Sequence, residues 1–204
     1  MTSNPRPTRR LTLKAAIALP AVAFLRPAWA LTPDDARGHV RAAIDEVLAL
    51  AAQPGAPAQK AGPLQALLER YAAMDAIARF AAGLAWREMS PDQQTRYTEA
   101  FKSFISKVYA RRFTEYSGQS VTVTGVEDAG RRGLRVLSRV SQTEAAPIAV
   151  AWMVTDRPGR VLISDIIIEE VSLIVTQREE IGAMLSSRGG DVERLISDLA
   201  AYRL

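Results

Sequence analysis

The 204-residue chain carries 26 Lys plus Arg against 22 Asp plus Glu, for a formal net charge of +4, with one His and no Cys. The absence of cysteine excludes disulfides, thiol redox chemistry and lipoprotein acylation, so stability must come from the core alone. A single histidine leaves little material for a metal or His-based catalytic centre.

The first segment has the three parts of a secretory signal in the required order. Arg6, Arg9, Arg10 and Lys14 make a basic start with no acidic residue, and Ala15 to Leu25 is an apolar run too short to span a bilayer. Ala28-Trp29-Ala30 offers small residues at the two positions a signal peptidase reads, so cleavage is expected before Leu31. Thr8-Arg9-Arg10-Leu11-Thr12-Leu13-Lys14 resembles the twin-arginine motif, with Thr12 in place of the usual Phe. Arg26 just before the cleavage site, and the alanine-rich apolar run, favour that route over general secretion. The alternative is a chance Arg pair in an ordinary secretory signal. Either way, removal of residues 1–30 leaves 21 basic residues against 22 acidic ones. The basic excess thus belongs to the signal, and the mature domain lacks the clustered positive surface that nucleic-acid binding needs.

Residues 31–204 suffice for one domain with a core of its own. Thr32-Pro33-Asp34-Asp35 reads as a helix start, and Val40, Ile44, Val47, Leu48 and Ala51 follow at helical spacing. Pro54 to Pro63 reads as a break. A short helix then carries Leu64, Leu67, Leu68 and Tyr71, and another runs from about Asp75 to Arg87. Ser90-Pro91-Asp92-Gln93 is a capping box opening the clearest helix, with Tyr97, Phe101, Phe104, Ile105, Val108 and Tyr109 as its apolar stripe. It should span roughly 23 residues, about 34 Å, ending near Phe113. After Gly118 the period changes to two. Strands are expected at Val121 to Thr124, Leu134 to Val140, Pro147 to Thr155 and Val161 to Ile168, joined by short connections as an antiparallel meander. Thr176-Gln177-Arg178-Glu179 reads as a second capping box, Gly189-Gly190 as a stop, and Asp191 to Tyr202 as a last amphipathic helix. The expected fold class is α+β, with helices packed on a four-stranded antiparallel sheet.

Catalytic signatures are sparse. His39 has no partner histidine or cysteine nearby, and the paired acids Asp34-Asp35, Asp45-Glu46, Glu169-Glu170 and Glu179-Glu180 point to different sides of their elements. No phosphate-binding glycine loop or nucleophile elbow is present, so neither an enzyme nor a cofactor is expected. An aromatic stripe facing a curved sheet is ordinarily core, and periodicity alone cannot show a cavity.

The stretch from Tyr71 to Gln119 resembles the MlaC/Ttg2D family, the periplasmic substrate-binding component of the Mla phospholipid transport system. The matching pattern runs through Asp75, Arg79, Gly83, Trp86, Ser90-Pro91, Gln94, Phe101, Phe104, Tyr109 and Tyr116-Ser117-Gly118-Gln119. Val171-Ser172-Leu173 and then Arg178 extend it, whereas Glu170 stands where the family commonly has Gly, and Thr176-Gln177 replaces Asn-Tyr. The resemblance implies a lipid cavity between helices and sheet, with phospholipid as cargo. It also implies an inner-membrane ABC transporter complex with an MCE-domain subunit, and an outer-membrane lipoprotein complex, as partners. The side chains expected at the cavity are Trp86, Phe101, Phe104, Ile105, Val108 and Tyr109 from helices, with Val150, Trp152, Val154, Ile166 and Ile168 from strands. At about 0.8 kcal/mol per methylene, two acyl chains of roughly 30 methylenes are held by over 20 kcal/mol gross, so handover must occur while docked. Alternatives are another cargo, such as a hopanoid, or a cone-shaped α+β enzyme using Asp165 and Tyr109 as acid and base. A purely structural module would have a filled core.

Overall fold

The computed structural model describes Met1 and residues 31–116, 118–142, 145–157 and 159–204. The twin-arginine pair Arg9 and Arg10, and the cleavage residues Ala28 and Ala30, lie outside the described residues.

Among the described residues, six α-helices and one sheet follow in the order helices, strands, helices. Helix α1 (Pro33–Ala52) starts on Thr32, whose hydroxyl accepts from the Asp35 N–H while Asp35 accepts in return from the Thr32 N–H. Helix α2 (Pro57–Tyr71) begins six residues before the expected end of the break at Pro63, which lies inside it. Burial of Lys60, Ala61 and Leu64 overrides the local cost of that proline. Lys60 donates to the Ala51 carbonyl at 2.7 Å, placing a cation at the negative end of α1. The helix expected up to Arg87 is shorter: α3 (Met74–Ala82) ends at Gly83, and a 3₁₀ turn covers Gly83–Arg87. Gly83 has φ +61°, a left-handed conformation that favours glycine. Helix α4 (Pro91–Arg112) has the expected capping box between Ser90 and Gln93.

Strands β1 (Ser120–Asp128), β2 (Leu134–Gln142), β3 (Ala145–Arg157), β4 (Arg160–Ile168) and β5 (Val171–Ser172) form one antiparallel meander in sequence order. The sheet thus has five strands rather than four. The fifth is two residues long, below what period-two patterning can register. Its connection to β4 is a tight turn with φ +47° at Glu169 and +67° at Glu170, the geometry in which hairpins favour glycine. Glu170→Gly is expected to raise stability by about 1 kcal/mol, or roughly 2–4 °C in Tm. Thermal melts of the two proteins check this.

Helix α5 (Leu173–Ser186) does not start at Thr176. Ser172 caps it, accepting from the Val175 N–H, and Thr176-Gln177-Arg178-Glu179 lies within its first turns. Helix α6 (Val192–Ala201) is capped by Asp191. The Arg96 guanidinium clasps Glu193 with two hydrogen bonds and Gln93 adds a third, tying α4 to α6. Those bonds pull the Glu193 carboxyl down to about 2, so the clasp is intact above the ordinary glutamate range and lost as pH falls towards 2.

One core lies between α3, α4, α5 and α6, built on Tyr97, Phe101, Leu195 and Leu199. A second lies between α1 and the sheet, built on Val40, Ile44, Val136, Val154 and Ile163. The Tyr97 phenol is buried with no hydrogen-bond partner, and its burial raises its pKa. Tyr97→Phe removes an unsatisfied donor without changing shape, and a gain of about 1 kcal/mol is expected in chemical denaturation.

Candidate functional site

Between α1, α2, α4 and one face of the sheet, with α3 and α5 at its border, lies an apolar pocket of about 390 Å³. Its wall is assembled from helical stripes that each read as ordinary core alone: Ile44, Val47 and Leu48 of α1, Leu64, Leu67 and Leu68 of α2, and Phe101, Ile105 and Tyr109 of α4. The floor is Val121, Val140, Val150, Trp152, Ile163, Ile166 and Ile168.

The floor depends on an irregularity in β4. Trp152 pairs with Ile166 and Met153 with Asp165, but Val154 pairs with Ile163, leaving Ser164 as an extra residue. The bulge switches the parity of the strand, so Ile163 before it and Ile166 and Ile168 after it share one face. Trp152 is fixed across the sheet by its indole N–H, which donates to Ser138 Oγ at 2.9 Å; that hydroxyl lies 3.3 Å from the Val150 carbonyl.

Seven of the eleven side chains expected at the cavity line this pocket: Phe101, Ile105, Tyr109, Val150, Trp152, Ile166 and Ile168. The other four are placed elsewhere. Phe104 and Val108 belong to the neighbouring stripe of α4, turned towards the α6 side, where Phe104 packs edge-on against Tyr202 with ring centroids 5.0 Å apart. Val154 is fully buried in the core beneath α1. Trp86 follows the Gly83 stop, and the 3₁₀ turn carries it into a separate groove lined by α3 and the first half of α4. The α1 and α2 contributions were missing from the sequence expectation. Their stripes were visible, but nothing local says that they face the sheet across a gap.

Polar groups in the wall are few. Burial pushes the Tyr109 phenol up, and the Arg112 guanidinium lies 5.7 Å from the centre of its ring. Arg112 is exposed and is the single cation among the lining residues. Asp165 also lines the pocket, but both carboxyl oxygens are engaged: Ser172 donates at 2.6 Å and the Ile174 N–H at 3.2 Å. It anchors the start of α5 to β4. His39 Nε2 is bonded to the Tyr71 carbonyl at 2.9 Å, and its ring meets Tyr71 edge-on. Among the described residues, no group of three or more His, Cys, Asp or Glu side chains is placed to hold a metal, and no helix is long and apolar enough to cross a membrane.

Comparison with known proteins decides the family. The profile of the MlaC protein family matches residues 40–201.

The chain belongs to the MlaC family.

A toluene tolerance protein, Ttg2D of Pseudomonas putida, is 24% identical over 115 residues, covering 56% of this chain and 53% of that protein. The chain thus aligns with about half the length of that curated relative. A phospholipid-binding protein from Ralstonia solanacearum, solved in complex with a phospholipid, superposes with a TM-score of 0.66 at 25% identity, over 80% of this chain and 94% of that one. Several residues that carried the MlaC resemblance in the sequence, Asp75, Arg79, Gly83, Trp86, Pro91, Gln94 and Arg178, line a separate outer groove rather than the apolar pocket.

Proposed function

We propose that residues 31–204 form a periplasmic phospholipid carrier that shuttles lipid between the outer and inner membranes. The observation that carries this reading is the apolar pocket enclosed by α1, α2, α4 and the sheet. The phospholipid bound to the Ralstonia solanacearum relative supports it. The reading needs no catalysis and no cofactor. Asp165, the one acid in the pocket wall, is already committed to holding α5.

A methylene displaces roughly the 30 Å³ of a water molecule, so 390 Å³ accommodates about a dozen methylenes. That is close to one acyl chain. A two-chain lipid then requires α1 and α2 to move away from the sheet as it enters. The polar headgroup stays at the surface, with Arg112 as the lining group suited to a phosphate. About a dozen buried methylenes amount to roughly 10 kcal/mol gross, which makes release into water slow. Transfer is therefore proposed to occur on docked partners: an inner-membrane ABC transporter complex with an MCE-domain subunit, and an outer-membrane lipoprotein complex. Export by the twin-arginine route with cleavage before Leu31 fits this reading, since it leaves the Thr32 cap of α1 intact.

Solvent extraction of the purified protein followed by mass spectrometry tests the cargo. The expected result is phospholipid in near-equimolar amount. A hopanoid instead would reassign the cargo, and the absence of any lipid would overturn the reading.

A further inference from the structure

The outer groove, about 1110 Å³, runs along α3, the Gly83–Arg87 turn and the first half of α4, and shares no lining residue with the apolar pocket, which uses the second half of α4. Its charge is predominantly positive, five cations against two acids. Lys102 is paired with both acids, Asp75 at 2.9 Å and Glu99 at 3.0 Å. Arg79, Arg87, Arg157 and Arg178, all exposed, make no ion pair with any described residue. Four unpaired guanidinium groups therefore converge on one recess of a domain whose total charge is slightly negative. The recess is also apolar: Leu84 is 72% exposed, and Phe80 and Trp86 lie beside it.

One arginine is already ordered. The Arg178 guanidinium lies 5.1 Å from the centre of the Phe80 ring, and a Cβ on Gly83 would sit 3.5 Å from its Nε. A stacked guanidinium has lost part of its freedom before any ligand arrives, which favours paired hydrogen bonds to a carboxylate.

From these features we infer that the groove is a docking site for an acidic segment of a partner protein, with carboxylates on the arginines and apolar side chains against Leu84 and Phe80. A protein segment fits better than a membrane, because the arginines are distributed around a groove rather than along one flat face. The arginines come from α3, the 3₁₀ turn, β3 and α5, a spread suited to an extended ligand rather than a single small anion. The inference adds a surface to the proposed carrier and does not depend on what the pocket holds.

The test uses residues 31–204 and two fluorescent amphipathic peptides of about five helical turns. Both carry leucine on one face; the other face is glutamate in one and lysine in its twin. Binding is read by anisotropy at low and physiological salt. The glutamate peptide should bind at least about tenfold more tightly than its twin, and more weakly as salt rises. Arg79→Gln combined with Arg178→Gln should weaken binding about tenfold, and Leu84→Ser several-fold, with unchanged circular dichroism. Because Leu84 is largely exposed, its variant keeps the test informative if the arginine pair proves unstable. Equal binding of the two peptides, or no effect of these substitutions, would overturn the inference. So would arginine-dependent sedimentation with phosphatidylglycerol vesicles without peptide binding, or arginine-dependent dimerisation in gel filtration without it. Lipid content measured on the same variants should be unchanged, which separates failure of this inference from failure of the carrier reading.

Discussion

Val150→Trp is expected to give a folded protein that carries almost no lipid. Val150 sits mid-strand on β3, paired with Ile168 and two residues from the anchored Trp152, at the centre of the pocket floor. An indole there projects into the space that an acyl chain would occupy. In a filled core such a substitution costs about 1–3 kcal/mol through overpacking; here the pocket receives most of the added volume, so the loss should lie at the lower end. Bound lipid per protein, measured by extraction, should fall at least tenfold while circular dichroism is unchanged. The paired control is Val108→Trp. Val108 lies one helical stripe away, packed in the core shared with α6, so the same addition should lower stability and leave lipid content near that of the unaltered protein. Equal loss of lipid in both variants would mean that general destabilisation, not occlusion, was being measured.

Asp165→Ala should be the most destabilising single change in the pocket wall. Its two oxygens receive the Ser172 hydroxyl and the Ile174 N–H where the chain passes from β5 into α5. Removing the acceptor strands two partly buried donors, at about 1–3 kcal/mol each. A total near 3 kcal/mol lowers Tm by roughly 10 °C for a domain of this size. Asp165→Asn keeps an acceptor for Ile174 and offers a donor to Ser172 Oγ, so it should recover most of the stability and take up lipid normally. An acid–base role would give the opposite ordering of concern: the Asn variant would be functionally dead however stable. A stable Ala variant would show that the anchor carries no weight.

The parts of this fold written in local chemistry were legible in the sequence. Ser90 with Gln93 and Thr32 with Asp35 are reciprocal caps within four residues of one another, and both helix starts follow from them. The start of α5 was misread for the same local reason. Thr176 with Glu179 imitates a cap, while the working cap is Ser172, oriented by Asp165 of β4. Alternation along β4 gives Ile166 and Ile168 but not Ile163, because the extra residue Ser164 reverses the parity of the strand, and a bulge leaves no mark in a hydrophobic pattern.

The pocket was half legible. Phe101, Ile105 and Tyr109 follow from spacing along α4, yet spacing could not separate them from Phe104 and Val108 on the adjoining stripe. The α1 and α2 walls are held to each other by packing of Leu50, Ala61 and Leu64 and by the Lys60 bond to Ala51, the Arg70 bond to Glu46 and the Tyr71 bond to Glu46. Those contacts span up to 25 residues of sequence and have no local signature. Trp86 shows the converse. It is apolar and near the pocket in sequence, but the glycine stop at Gly83 sends it to the arginine-lined groove.

The carrier account is tested most directly by lipid uptake. Residues 31–204, stripped of lipid under denaturing conditions and refolded, are mixed with vesicles containing a fluorescent phospholipid and then separated from them. The account predicts saturable uptake approaching one lipid per chain, lost in Val150→Trp. A refolded protein with native circular dichroism that takes up no phospholipid would contradict it.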